Sequence, residues 1–243
     1  MHTMKTEIII ERRYRGPTTS GNGGYACGLL AGYLDGVIEV TLKAPPPLET
    51  SLTVSLTGNE ARLLEGEREI ASARRVTAET PALEPPSLLE ATAAAERYAG
   101  FQQHLFPECF VCGPARREND GLRIFAGTHT SERYVAAPWT PDLSLADPAG
   151  LVRSEFIWAA LDCPGYFGLM RPGLAAVLGR MTTEIASELE PGQACVVLGW
   201  PLAVTGRKHY SGTALYAADG RLIAKAQTTW VAVDPDKFNS EHT

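Results

Sequence analysis

The sequence has no apolar run that approaches the roughly 18 to 20 residues of a membrane-spanning helix. Its first residues, 1–7, also lack the long apolar stretch of a secretory signal. We therefore expect a cytoplasmic protein that has no membrane partner. The five cysteines are odd in number, and most of them stand among apolar residues. This usage suits a reducing compartment better than a disulfide scaffold.

The chain also lacks an excess of basic residues. Its 22 Lys and Arg are outnumbered by 28 Asp and Glu, and the formal net charge is −6. Proteins that mainly bind nucleic acid carry a basic surface, so nucleic acid is not an expected partner. A local basic pocket for a phosphorylated ligand is still compatible with this charge. The hydrophobic content of 44% is ordinary for a globular chain with a full core.

The sequence does contain an internal repeat. The hexapeptide Arg-Glu-Ile-Ala-Ser-Ala at 68–73 returns as Arg-Leu-Ile-Ala-Lys-Ala at 221–226. Each copy closes a series of short segments rich in β-forming residues and separated by turn residues, so one fold unit is predicted twice. The predicted strands are residues 37–43, 52–57, 61–65 and 69–76 in the first half, and 122–126, 133–137, 175–185, 194–204, 210–216 and 222–233 in the second.

Upstream of each hexapeptide lies one candidate helix, at 23–34 and at 154–169. Both helices are apolar on all faces and must be buried, most simply inside a curved sheet. Pro164 favours a kink or an end in the second helix. The predicted division is an N-terminal unit at 1–79, a linker at 80–107 with a helix at 87–97, a C-terminal unit at 108–235 and a tail at 236–243.

Three motifs carry a resemblance to a known family. Asn-Gly-Gly-Tyr-Ala at 22–26 resembles the His-Gly-Gly start of the central helix in phenylacetyl-CoA-type thioesterases. Cys-Phe-Val-Cys-Gly-Pro at 109–114, with Asp-Gly-Leu at 120–122, resembles the segment before the first strand of many single hotdog domains. Residues 206–224 resemble their closing hairpin. The chain is therefore similar to double hotdog proteins of the acyl-CoA thioesterase superfamily, which implies an α+β fold of two curved antiparallel sheets, each around a central helix.

The resemblance implies an active site between the two units, where the glycine-rich helix start of one unit faces an acidic residue on the helix of the other. The first helix has the glycines at 23–24 but carries Ala31 in the place of the acid. The second helix carries Asp162 in that place and Ser-Glu at 154–155 instead of the glycines. One composite site per chain follows from this division.

These residues suit thioester hydrolysis. Backbone N–H groups at a helix start, here those of Gly23 and Gly24, can stabilise the oxyanion of an attacked thioester, and the missing Cβ atoms would let the acyl group approach. Asp162 follows six apolar residues, and a carboxylate in such a wall can activate water or attack the thioester. Alternatively, Asp162 caps a turn at 164–165, the glycines form an ordinary loop, and Asn22 is only the helix N-cap.

Four further residues are candidates for substrate binding. Arg207 and Lys208, at a predicted hairpin, could contact the phosphates of coenzyme A, although a basic turn is more often exposed surface. Thr183 could supply a hydroxyl from the strand after the second helix, and Trp158 could shape the acyl pocket. Glu155 could pair with Arg153, or it could face the pocket as a reserve candidate for the acid.

Cys109 and Cys112 have the spacing of half a zinc site. A second Cys-x-x-Cys pair is missing from the sequence, and His104 is the one nearby third ligand. We therefore expect that both cysteines are buried in the core and that the protein binds no metal.

The sequence thus predicts an acyl-CoA thioesterase-like hydrolase that needs no cofactor apart from the coenzyme A of its substrate. Medium-chain double hotdog enzymes use an Asp, a Ser or Thr, and a Gln on the final strand, but here Thr228 stands in the place of the Gln, and Gln227 is one residue out of phase. This departure, with Asn22 instead of histidine, favours a non-catalytic acyl-CoA-binding protein as the alternative. An acyl-thioester hydratase or dehydratase is a weaker alternative, because neither helix contains a histidine. Homo-oligomers are compatible with the fold.

Overall fold

The computed structural model describes residues 5–77, 82–171 and 173–234, so the predicted tail at 236–243 lies outside the described residues. No helix within these ranges is long and apolar enough to cross a membrane. The helices are α1 (Gly23–Ala31), α2 (Leu88–Ala95) and α3 (Ser154–Leu169). The strands are β1 (Lys5–Ile9), β2 (Ile38–Leu42), β3 (Ser51–Thr57), β4 (Glu60–Glu65), β5 (Arg68–Arg75), β6 (Gly127–Thr128), β7 (Val135–Trp139), β8 (Ala176–Ile185), β9 (Cys195–Thr205), β10 (Lys208–Ala217) and β11 (Leu222–Ala232).

The eleven strands form one antiparallel sheet in the order β1-β3-β4-β5-β2-β8-β11-β10-β9-β7-β6. β2 and β8 join the two halves at its centre, where Ile38 lies opposite Thr183 and Val40 lies opposite Met181. The strand order on the two sides of this junction is equivalent, since β5, β4, β3 and β1 follow β2 as β11, β10, β9 and β7 follow β8. The two predicted sheets are therefore continuous with each other.

The repeated hexapeptide occupies equivalent places in the two halves. Ala71 of β5 lies opposite Leu42 of β2, and the corresponding Ala224 of β11 lies opposite Ile185 of β8. Both copies belong to the strand next to the central pair. The sequence repeat is thus a repeat of structure.

The helices α1 and α3 pack against each other and against the sheet. Seven of the nine residues of α1 and twelve of the sixteen residues of α3 are buried. This burial confirms the prediction from their apolar faces, because neither helix has a polar side to turn toward water. The shorter α2 follows the N-cap Ser87, which forms a capping box with Glu90, and lies in the predicted linker.

Most predicted strands are confirmed to within two residues. The strands β1 and β6 were not predicted. The prediction of a strand at 122–126 is wrong, because the amides of Leu122 and Ile124 donate to the carbonyls of Phe110 and Val111 in a neighbouring loop and do not join the sheet.

The prediction that α3 kinks or ends beside Asp162 is also wrong in part. The helix continues through Pro164 to Leu169. Proline removes one backbone hydrogen bond, but packing compensates for it because α3 is enclosed by the sheet. A Cβ on Gly199 of β9 would lie 1.9 Å from the Pro164 carbonyl oxygen, so the strand backbone lies directly against this turn of the helix.

Candidate active site

Asp162 lies within α3, and only 2% of its surface is exposed. Its Oδ2 accepts a hydrogen bond of 2.8 Å from Asn22 Nδ2 and one of 2.9 Å from the Gly24 amide. Both donors belong to the start of α1, in the other half of the chain. The structure therefore brings together the residues that the resemblance assigns to a composite site.

Asn22 has two roles in this arrangement. Its Oδ1 accepts a hydrogen bond of 2.9 Å from the Tyr25 amide, which makes it the N-cap of α1. Because the cap orients the side-chain amide, the Nδ2 is left to donate to Asp162. The N-cap interpretation and the site interpretation are thus compatible.

The glycines bring the two helices close to each other. A Cβ on Gly24 would lie 2.5 Å from Asp162 Cβ and 2.8 Å from the Trp158 carbonyl oxygen, and a Cβ on Gly28 would lie 2.5 Å from Glu155 Cα. A Cβ on Gly23 would lie 2.9 Å from the side chain of Leu178. The space beside Gly24 is therefore filled by α3, and the expectation that this glycine makes room for an acyl group is wrong, whereas a Cβ on Gly23 would meet only a side chain.

The two candidate oxyanion donors also differ. The Gly24 amide already donates to Asp162. The amide of Gly23 belongs to the first turn of α1, where backbone N–H groups have no acceptor within the helix. Gly23 also lines the wall of a cavity that opens beside these groups. It is therefore the better placed donor for a ligand oxygen.

The second oxygen of Asp162, Oδ1, is buried and has no hydrogen-bond partner among the described residues. Burial raises the pKa of this carboxyl group to about 7. The hydrogen bond from Gly24 lowers the pKa, but the effect of burial is larger. A carboxyl group of this kind is suited to exchange a proton at neutral pH.

A cavity of about 870 Å³ opens beside these groups. Its volume lies within the range of small-molecule and cofactor pockets, which is about 300 to 1,000 Å³. Asn22, Gly23 and Asp162 contribute to its wall, which is otherwise mainly apolar. Three cationic side chains also line it, namely Lys43 at the end of β2, Arg97 after α2 and Arg171 after α3.

The four predicted substrate-binding residues do not line the described wall of this cavity. Arg207 and Lys208 are exposed at the hairpin between β9 and β10. Trp158 is buried where α3 meets α1, and Thr183 is buried in β8 opposite Ile38. Their positions follow from the packing of the helices and the central strands, which the local sequence pattern does not report.

Glu155, the reserve candidate for the acid, also lies away from the cavity wall that the structure describes. Its Oε1 is 3.5 Å from Arg153 Nε. The expected pairing with arginine is therefore present.

Sequence reasoning missed the three cations of the cavity. Each is a single basic residue on a different element, so no local cluster marks Lys43, Arg97 or Arg171. Lys43 Nζ is 2.7 Å from Glu69 Oε1, and Arg97 Nε donates to the Thr128 carbonyl at 2.8 Å. Only their shared position on one cavity would have identified them.

Three cysteines lie beside Asp162. The Sγ atoms of Cys109, Cys112 and Cys163 are all within 4.8 Å of one another. The expectation that His104 is the one available third ligand is therefore wrong, because α3 brings Cys163 against the Cys-x-x-Cys loop. These three sulfur atoms are the group of described residues best placed to hold a metal ion.

No protein-family model matches the sequence, and no curated protein matches it. Solved structures do match. The "putative thioesterase" of Novosphingobium aromaticivorans is 10% identical, with a TM-score of 0.64 over 95% of this chain and 96% of that chain. The tesB protein of Mycobacterium avium subs paratuberculosis is 10% identical, with a TM-score of 0.63 over 95% of this chain and 93% of that chain.

A protein of unknown function with a hot dog fold from Alicyclobacillus acidocaldarius is similar to the same extent. It is 10% identical, with a TM-score of 0.61 over 96% of this chain and 94% of that chain. Identities this low indicate a common fold. With its two equivalent half-sheets and two buried helices, the chain has the tandem hotdog fold.

Proposed function

We propose that this chain is an acyl-CoA thioesterase-like hydrolase with one composite site. The observation that carries the proposal is the pair of hydrogen bonds from Asn22 and Gly24 of α1 to Asp162 of α3, at the wall of the large cavity. The fold shared with a "putative thioesterase" over 95% of this chain supports it.

The chemistry starts from Asp162 Oδ1, the carboxylate oxygen without a partner among the described residues. It takes a proton from a water molecule, whose oxygen adds to the thioester carbonyl carbon. The Gly23 amide and the positive end of α1 stabilise the resulting oxyanion. The C–S bond then breaks. The sulfur takes the proton from Asp162 and leaves as the thiol.

A covalent route uses the same oxygen. Asp162 Oδ1 attacks the carbonyl carbon and expels the thiolate, which leaves an acyl anhydride that water hydrolyses. Both routes need an ionised carboxylate next to the substrate and a donor for the oxyanion. They therefore assign the same residues.

Substrate binding follows from the lining of the cavity. The apolar wall suits an acyl chain, and cations at the cavity suit the phosphates of coenzyme A. Arg97 and Arg171 take this role instead of Arg207 and Lys208, because they line the cavity. Lys43 also lines the cavity, but it is already paired with Glu69.

The test is thiol release from short, medium, long and aromatic acyl-CoA thioesters by the wild type and by Asp162→Asn. The substitution keeps the shape of the side chain and removes its ability to take a proton or attack. We expect turnover to fall by a factor of about 10² or more, while the affinity for a non-hydrolysable thioether analogue stays close to the wild-type value. Circular dichroism of both proteins controls for folding.

Two outcomes would contradict the proposal. Saturable binding of the analogue without thiol release by the folded wild type would assign the non-catalytic acyl-CoA-binding function. The engagement of the Gly24 amide by Asp162 favours that alternative, since it leaves one oxyanion donor fewer. A changed acyl chain on an intact thioester would assign a hydratase or dehydratase.

A further inference from the structure

The three cysteines beside Asp162 come from two separate parts of the chain. Cys109 and Cys112 lie in the loop that begins the second half, and Cys163 lies in α3; they are 3%, 3% and 7% exposed. The Sγ atoms of Cys109 and Cys163 are 3.7 Å apart. Two thiolates on one tetrahedral zinc ion, with Zn–S bonds of about 2.3 Å, are about 3.8 Å apart. The spacing of this pair is therefore that of two ligands to a shared ion, and Cys112 Sγ lies within 4.8 Å of both.

Hydrogen-bond donors surround the sulfur atoms. The Nδ2 of Asn22 is 3.9 Å from Cys109 Sγ and 4.0 Å from Cys163 Sγ. Metal-bound thiolates accept such bonds, and outer-shell donors of this kind orient the ligands of a metal site. Ordinary burial of three thiols in a core requires none of them.

His104 is a hydrogen-bond donor to the cysteine cluster rather than a metal ligand. Its Nδ1 accepts a hydrogen bond of 2.9 Å from the Phe106 amide, so the proton of the neutral ring is on Nε2. The Nε2 lies 3.4 Å from Cys112 Sγ and donates to it. A metal ligand would need the lone pair of Nε2, so the cluster supplies three sulfur ligands and no nitrogen.

The fourth position of a tetrahedral ion would be open to the cavity. All three cysteines line the cavity wall, as does Asp162. Three protein ligands and one open position distinguish a site that accepts an exogenous ligand from a closed structural site. All three ligand atoms are sulfur, and sulfur ligands favour a thiophilic cation over Mg²⁺ or Ca²⁺.

We propose that Cys109, Cys112 and Cys163 bind one Zn²⁺ ion as thiolates, with a fourth position open to the cavity beside Asp162. The bound thiols lose their protons to solvent. The shared ion would hold α3 against the Cys-x-x-Cys loop, and its open position would accept a soft ligand such as a thiol. This inference is independent of the hydrolase proposal and contradicts the expectation, based on sequence, that the protein binds no metal.

The first test uses the wild-type protein, reduced, stripped with a chelator and reloaded with Zn²⁺ or Co²⁺. We expect one ion per chain by elemental analysis after dialysis. The Zn²⁺ form should show sulfur scatterers at about 2.3 Å in X-ray absorption. The Co²⁺ form should show an intense thiolate-to-metal charge-transfer band. No retained metal, or a spectrum with nitrogen and oxygen ligands alone, would overturn the proposal.

The second test compares Cys163→Ser with Cys195→Ser. Cys195 is also a buried free cysteine, but it lies in β9, where its Sγ donates to the Gln193 carbonyl. We expect Zn²⁺ affinity to fall by a factor of at least about 10² in Cys163→Ser and to stay at the wild-type value in Cys195→Ser. Equal affinities in the two variants would overturn the proposal. Should Cys163→Ser fail to fold, the wild-type spectra decide alone, and thiol release by the stripped protein tests the hydrolase separately.

Discussion

At the scale of single residues, Arg116 connects the two halves of the chain. Its guanidinium donates to the carbonyls of Glu108 and Arg13, each at 2.7 Å, and to Asp120 Oδ2 at 3.0 Å. Only 6% of the residue is exposed. These hydrogen bonds are partly buried, so carbonyls that lose the charged donor lose strong hydrogen bonds and are not fully solvated in exchange.

We expect Arg116→Ala to lower the free energy of unfolding by about 2 to 4 kcal/mol. Arg116→Lys should recover only part of this, because an ammonium group cannot form the planar fork of hydrogen bonds. Urea denaturation measures both changes. The matched control is Arg68→Ala, because Arg68 is exposed and pairs with Glu65 at 3.6 Å, and we expect a change of less than about 0.5 kcal/mol. Equal losses in the two alanine variants would refute the role of Arg116.

At the scale of elements, the contact between α1 and α3 decides both stability and site geometry. The two helices run antiparallel, since Gly24 meets Asp162 and Gly28 meets Glu155. Both glycines allow backbone contact that a methyl group would prevent. The bond from the Gly24 amide to Asp162 exists only because of this close approach.

We expect Gly24→Ala to lower the free energy of unfolding by about 1 to 3 kcal/mol, because the new Cβ would lie 2.5 Å from Asp162 Cβ. Turnover per folded molecule should fall as well, since the helices must separate at the site. Gly28→Ala is the control, because its Cβ would meet Glu155 Cα at the same distance, 2.5 Å, and away from Asp162. Its free energy of unfolding should fall by a similar amount, whereas its turnover per folded molecule should fall much less. Identical turnover in both variants would contradict this account.

At the scale of the whole molecule, the duplicated fold contains two related positions but one candidate site. The start of α3, with Ser154 and Glu155, is related to the start of α1, and it faces Gly28 of α1 and the C-cap residue Gly32. Neither partner on α1 is an acid, and Glu155 is paired with Arg153. The second position therefore lacks the groups that the first one combines.

We expect Glu155→Gln to release thiol at the wild-type rate, because Glu155 lies outside the described cavity lining. The measurement is the same acyl-CoA panel that is used for Asp162→Asn, with circular dichroism as the folding control. A loss comparable to that of Asp162→Asn would show that both related positions contribute and would refute the single composite site.

Much of the fold could be predicted because its signals are local. The turn residues delimited the strands, the hexapeptide revealed the duplication, and the apolar faces of 23–34 and 154–169 required buried helices. The strand predicted at 122–126 failed because an extended apolar segment can bond to a loop as well as to a sheet. For the candidate site, the resemblance singled out Asn22, Gly23, Gly24 and Asp162. The expectation that Gly24 leaves room for an acyl group was wrong, and the cations of the cavity were missed.

The sequence by itself determined most of the secondary-structure elements and the repeat, since turns and apolar faces act over a few residues, and the complementary roles of the two helices are what the family resemblance implies. Tertiary structure alone decided which distant side chains meet. It placed Cys163 against Cys109, collected Lys43, Arg97 and Arg171 at one cavity, and filled the space beside Gly24 with α3. The physical reason is that contacts between residues far apart in the chain depend on how helices and sheet pack, which a local pattern does not encode.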